Sequence, residues 1–131
     1  MDPVDTLART LWGEARGQGL DGIAAVANVI ANRTQKPGWW GTGWVGVCIA
    51  PSQFSCWNEN DPNRARLLRV TIADPQFRDC MVIAKAAVAG DLRDRTQGAD
   101  HYYADHIAVP KWARGKKPTV VIGNHRFFKL T

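Results

Sequence analysis

Glu14 is the residue best placed for acid–base chemistry in this 131-residue chain. It falls in the last turn of a predicted first helix, beside Leu7 and Leu11, at the edge of that helix's apolar stripe. Partial burial and the negative end of the helix dipole both favour the protonated carboxyl, so both raise its pKa. A carboxylic acid kept protonated near neutral pH is the proton donor that a departing glycosidic oxygen requires. The competing reading is a surface glutamate paired with Arg16 or Arg33. Glu59, the other glutamate, lies in the polar loop Asn58-Glu59-Asn60 and lacks a comparable setting.

Other side chains offer weaker chemistry. Gln53 has both a donor and an acceptor for a sugar hydroxyl or N-acetyl group, or equally for bracing its own loop. Ser55 is suited to positioning a water or Glu14, although a turn or cap role is the simpler one. Tyr102 and Tyr103 are neighbours on a predicted strand and point to opposite faces, so one of them reaches a ligand. His101, His106 and His125 lack the spacing of metal ligands, and no metal or other cofactor is expected. Cys48, Cys56 and Cys80 are an odd set without a Cys-x-x-Cys pair, expected to be reduced and partly buried. A bridge between Cys48 and Cys56 in an oxidising compartment stays open. So does a nucleophilic Cys56 with His101 or His125 as its base.

The elements that must position these groups are well marked. Asp2 and Pro3 cap and begin a helix whose Val4, Leu7, Ala8, Leu11, Trp12 and Ala15 form one stripe, stopped by Gly17 and Gly19. A second helix is predicted from about Leu20 to Gln35, ended by Lys36-Pro37-Gly38 and apolar on nearly every side, hence central. Residues 37–60 are rich in Gly and Trp and lack periodicity, which suits the wall of a site. Asp61-Pro62 and Asp74-Pro75 read as two further helix starts. The second of these leads Phe77, Cys80, Met81, Ala84, Ala87 and Val88 along one face to Gly90. After Gly98, Tyr102-Tyr103 suits a short strand, and Thr119–Ile122, Gly123-Asn124 and His125–Phe128 read as a hairpin. Helices first and a small antiparallel sheet last predict an α+β fold in one domain spanning 1–131.

Composition sets the boundaries. Hydrophobic residues make up 45% and charged residues 22%, which excludes disorder. No apolar run is long enough to insert in a membrane. Met1-Asp2-Pro3 does not open a signal peptide, so a chain made in the cytoplasm and released by another route is expected. A net charge of +5 suits an acidic polymer, but only Arg114-Gly115-Lys116-Lys117 clusters, too little for nucleic-acid recognition. Six Trp are available to stack on sugar rings or to fill the core. A monomer is expected.

The string Leu11-Trp12-Gly13-Glu14-Ala15-Arg16-Gly17 closely resembles the Gly-Glu-Ala-Arg-Gly motif of the spore cortex-lytic and cell-wall hydrolase family, which includes single-domain phage endolysins. Further segments match that family in order. They are the apolar run ending in Asn32-Arg33, Gln53-Phe54-Ser55, Ala99 to Tyr103, Lys111-Trp112, and Ile122-Gly123-Asn124-His125-Arg126-Phe127. The resemblance implies a lysozyme-like helical core with a small sheet, acting on bacterial peptidoglycan in the cell wall or periplasm. It implies that Glu14 is the catalytic acid/base for the β-1,4 bond between N-acetylmuramic acid and N-acetylglucosamine. Gln53, Phe54, Ser55, Tyr102, Tyr103, Trp112 and His125 then become candidate substrate contacts. No second acid has a setting like that of Glu14, which favours a lytic transglycosylase over a hydrolytic muramidase. Asp100 is the first candidate should a second carboxylate be needed. A Cys56-dependent amidase and a non-catalytic wall-binding module are the rival readings.

Overall fold

The computed structural model describes every residue except Pro37 and Ser52. Helix α1 (Pro3–Ala15) starts as its sequence dictates, with the Asp2 carboxylate accepting the Asp5 N–H at 2.7 Å and Pro3 in the first turn. Leu7, Ala8, Leu11, Trp12 and Ala15 face inward, and the chain leaves the helix through Gly17 at φ +89°. Helix α2 (Leu20–Gln35) has the expected bounds and is buried along Gly22–Ile30. The Pro37 of its expected stop lies outside the described residues.

The stretch that shows no periodicity in sequence contains regular structure, since Gly43–Ile49 forms helix α3 and Ser55–Trp57 a 3-10 turn. Gly43 and Gly46 hide α3 from propensity, since glycine is the poorest ordinary helix former. One expectation needs correction, because the Asp61-Pro62 pair does not start a helix. Asp61 accepts the Asn63 N–H at 2.8 Å in a tight turn, and helix α4 runs from Arg64 to Arg69. The Asp74-Pro75 pair does begin helix α5 (Pro75–Val88), its carboxylate accepting from Gln76 and Phe77 at 2.8 and 3.0 Å. Arg9 ties α1 to the end of α4 by donating to the carbonyls of Leu67 and Val70.

The sheet has the order β1-β3-β2 and is antiparallel throughout, with β1 His101–Ala104, β2 Val120–Ile122 and β3 His125–Phe128. Gly123 at φ +57° and Asn124 close the hairpin, and Tyr102 stands opposite Phe127. The main core joins α1, α2, α3 and α5 through residues such as Leu7, Leu11, Ile23, Ile30, Val47 and Phe77. Each fully buried Leu or Ile there stabilises the fold by roughly 1.5–3 kcal/mol. A smaller cluster, Ala25, Val29, Ala99 and Phe127, binds α2 to the sheet. Tyr102 packs against both clusters.

Asn28 and Asn32 of α2 anchor the segment that leads into β1. Asn28 donates to the Arg93 carbonyl and accepts from the Arg95 N–H, while Asn32 donates to the Ala99 carbonyl and to Asp94. Their spacing of four residues puts both amides on one face, so α2 fixes where β1 begins.

Candidate active site

Glu14 sits half-buried at the end of α1, facing the 3-10 turn on one side and β1 on the other. The preceding glycine permits this. A Cβ on Gly13 would lie 2.8 Å from both Cβ and Sγ of Cys56, so only glycine lets the 3-10 turn close on the helix. Trp57 holds that turn in place by donating its indole N–H to Thr10 Oγ1 at 2.9 Å.

Tyr102 Oη donates to Glu14 Oε1 at 3.2 Å. Burial raises the Glu14 carboxyl above its ordinary 4.5. Hydrogen bonds from Tyr102 and Cys56 offset part of that rise, and the charge of Asp61 adds to it. Burial, followed by the charge of Glu14, holds the Tyr102 phenol well above its ordinary value, so it is a donor throughout the physiological range. The ion-pair reading of Glu14 fails. Arg16 lies over the Trp12 ring at 4.3 Å, and Arg33 donates to Gln53 Oε1 and to the Asp100 carbonyl, each at 2.8 Å.

A cleft of about 430 Å³ opens beside this group, lined by Arg33, Trp39, Gln53, His101, Tyr102 and Trp112. Tyr102 is the residue it shares with Glu14, which stands behind the phenol rather than on the wall. Trp39 is 70% exposed, a large ring left at the rim where a sugar face can stack. The Arg33 guanidinium lies over the Trp40 ring at 5.5 Å and the Phe54 ring at 5.7 Å, and burial lowers its pKa from the ordinary arginine value.

The remaining predicted contacts divide. Gln53, Tyr102 and Trp112 line the cleft. Phe54, 3% exposed, is a core residue beneath Arg33, because its backbone turns the ring inward as the 3-10 turn begins. Ser55 is exposed and opens that turn, where its carbonyl accepts the Asn58 N–H. Tyr103 takes the other face of β1, stacked on Phe128 at 5.7 Å. His125, 6% exposed, packs edge-on behind Tyr102, and burial lowers its pKa.

Asp100, the expected reserve carboxylate, is fully buried and committed elsewhere. It accepts from the backbone N–H groups of Leu130 and Thr131, from the Thr131 hydroxyl and from His101 Nδ1. Burial alone would raise its pKa, but the bonds from Thr131, Leu130 and His101 outweigh it and hold the carboxylate low. His101, weighed from the sequence as a metal ligand or a base for Cys56, lines the cleft instead. Its partner is the adjacent residue, and the rings around it come from Trp39, Trp40 and Trp112.

Cys48, Cys56 and Cys80 are free and buried. Burial pushes Cys48 up to about 11 and Cys80 up to about 12, and it raises Cys56 further, aided by the charge of Glu14. None is the thiolate that a nucleophile requires, and the Cys56 reading is set aside. Among the described residues, no three His, Cys, Asp or Glu side chains converge as a metal site. No described helix is long and apolar enough to cross a membrane.

Comparison with known proteins follows the same geometry. The family model for cell wall hydrolases matches residues 17–128, beginning at the last residue of the Glu14 motif. The spore cortex-lytic enzyme of Bacillus subtilis (strain 168) is 28% identical over 127 residues. That match covers 95% of this chain but only 36% of the length of the relative. Two solved structures carry the likeness across α1 as well. The catalytic domain of the germination-specific lytic transglycosylase SleB from Bacillus anthracis is 26% identical, with a TM-score of 0.71 over 97% of this chain and 93% of that one. The catalytic domain of the Bacillus cereus SleB protein is also 26% identical, with a TM-score of 0.72 over 97% and 89% of the respective chains.

Proposed function

This chain belongs to the cell wall hydrolase family, and we propose that it is a peptidoglycan glycosidase working as a lytic transglycosylase with Glu14 as its single acid/base. The observation that carries this reading is the bond from Tyr102 to Glu14, which ties a carboxyl of raised pKa to a residue that lines an aromatic cleft. The SleB domains of similar fold include one described as a lytic transglycosylase. The substrate is the β-1,4 bond from N-acetylmuramic acid to N-acetylglucosamine.

The chemistry balances with one carboxyl. Protonated Glu14 gives its proton to the glycosidic oxygen as the bond from that oxygen to C1 of the muramic residue breaks. The resulting carboxylate then takes the proton of the C6 hydroxyl on the same residue while O6 bonds to C1. Glu14 ends as it began, no water is consumed, and the products are a 1,6-anhydro end and a free 4-hydroxyl. Tyr102 aligns the carboxyl, while Trp39 and Trp112 offer flat faces to the sugar rings.

The chain acts in this proposal as a monomeric single domain over residues 1–131, in the manner of the phage endolysins its motifs resemble. Turbidity of purified sacculi tests the enzymatic core. Clearing by the wild-type chain and none by Glu14→Gln is the expected pair. A Glu14→Gln protein that clears at the wild-type rate refutes it. Coexpression with a pore-forming protein tests the lysis role, and an intact culture would count against it.

A further inference from the structure

The cleft contains a fixed pair of polar groups that the acid/base mechanism leaves unused. His101 Nδ1 is bound to Asp100 Oδ1 at 2.8 Å. That carboxylate is fully buried, and its other partners are all donors. An ionised carboxylate only accepts, so Nδ1 must carry the proton. In the neutral ring, Nε2 is then an acceptor. It is not among the buried polar atoms without a partner, and the ring lines the cleft. Three Trp rings at 5.0–6.1 Å hold the imidazole in place.

Gln53 presents the opposite polarity in the same cleft. Its Oε1 accepts from Arg33 Nη1 at 2.8 Å. A guanidinium can only donate, which settles the orientation of the amide and leaves its NH₂ group as a donor on the wall. The cleft therefore offers an acceptor on His101 and a donor on Gln53, beside Arg33, Tyr102 and the Trp39 and Trp112 rings. An acetamido group is the complement of that set. Its N–H needs an acceptor, its carbonyl needs a donor, and its methyl suits an aromatic surface.

Resting on the glycosidase reading above, we propose that His101 and Gln53 form a recognition site for the N-acetyl group of a substrate sugar, with Asp100 as the positioning residue for His101. His101 Nε2 accepts the acetamido N–H, and the Gln53 amide donates to the acetamido carbonyl. A sugar with a free hydroxyl or amine at that carbon satisfies only part of the site and binds less well.

The test uses tetra-N-acetylchitotetraose as the probe and nitrogen-15 NMR of the whole chain. The free protein should show His101 as the Nδ1–H tautomer, and an Nε2–H tautomer would overturn the proposal. The probe should shift the Nε2 resonance, whereas its de-N-acetylated counterpart should not. Equal response to both sugars overturns the assignment. His101→Phe keeps a ring among the tryptophans but removes the acceptor, and should weaken probe binding about five- to tenfold, the cost of one hydrogen bond. On sacculi the same variant should raise KM by a similar factor, with kcat within about twofold of wild type. His101→Gln, which restores a polar group near the Nε2 position, should recover part of that loss. An unchanged KM in His101→Phe refutes the site. A wild-type chain that fails to clear sacculi refutes the enzymatic reading instead, while the tautomer and probe measurements still decide the binding site. They also decide it if a variant does not fold.

Discussion

The phenol of Tyr102 donates to the carboxylate of Glu14 at 3.2 Å, joining the last turn of α1 to the first strand of the sheet. Neither element alone makes a site. The helix supplies a carboxyl whose burial favours its proton, and the strand supplies a donor that fixes its direction. Because Tyr102 also packs against both hydrophobic clusters, the alignment of the carboxyl is coupled to the packing of the whole fold.

Replacing Glu14 by Gln should lower the rate of sacculus clearing by at least about 10²-fold, the low end of what a positioned acid–base group contributes. Glu59→Gln, on an exposed loop, should leave the rate near wild type. The same Glu14 variant should be more stable than the wild type at neutral pH. Above 4.5 the unfolded chain ionises Glu14 while the folded chain still holds the proton, so wild-type stability falls as pH rises through the raised folded pKa. The Tm advantage of Glu14→Gln should vanish at and below pH 4.5 and grow above it. A constant difference across that window would disprove the raised pKa.

Tyr102→Phe removes the donor and little else. Its hydrogen bond lowers the Glu14 pKa, so its loss raises that pKa further. A catalytic acid works only while protonated, and activity declines as pH climbs through its pKa. The alkaline limb of kcat/KM should therefore move to higher pH, while the plateau falls roughly three- to tenfold through lost alignment. A limb that moves to lower pH would contradict the bond.

Gly13→Ala tests the approach of the 3-10 turn to α1. The new Cβ would stand 2.8 Å from Cys56 Cβ, an atom held close to its own backbone, so the turn must move. Overpacking of this kind costs about 1–3 kcal/mol, offset by up to about 1 kcal/mol of helix propensity. Denaturant titration should show a net loss, and activity should fall with it because the turn borders Glu14. A variant as stable and active as wild type would mean that the turn adapts freely.

Much of the fold was legible because its signals are local. Asp2-Pro3 and Asp74-Pro75 cap two helices, the bounds of α2 follow from its apolar run, and Gly123-Asn124 closes the hairpin. Helix α3 was not legible, since Gly43 and Gly46 oppose it and only its burial against α1 and α2 pays for its formation. The place of Glu14 in the last turn of α1 could be read from the helical pattern. The burial of Phe54 and His125 was not legible, because the order of motifs along the chain does not say which side chains turn inward. His101 was weighed only as a metal ligand or a base for Cys56, because its enclosure by Trp39, Trp40 and Trp112 depends on residues distant in sequence, which spacing cannot show.

The cysteines should be silent under native conditions. With Cys48 at about 11, roughly one thiol in a thousand is ionised at pH 8, and all three side chains are buried. Iodoacetamide at that pH should leave clearing activity unchanged and modify the thiols only after denaturation. Rapid inactivation by alkylation would return Cys56 to consideration.

The product of cleavage separates one-carboxyl chemistry from hydrolysis. A hydrolase of the ordinary kind needs a second carboxylate about 5–10 Å from the first. Asp100 cannot serve, since its oxygens are occupied by Leu130, Thr131 and His101. Asp61 is the acid whose charge reaches Glu14, yet it is engaged with the Asn63 N–H. Asp61→Asn removes a charge that raises the Glu14 pKa, so that pKa should fall and the alkaline limb should move to lower pH. The rate on the plateau should stay within a fewfold of wild type. Mass spectrometry of the released muropeptides should find ends lighter by one water, with no oxygen-18 incorporated from labelled solvent. Reducing ends carrying the label, together with a rate lost by about 10²-fold in Asp61→Asn, would assign Asp61 as the base that activates water. The reaction would then be hydrolysis by two carboxyls.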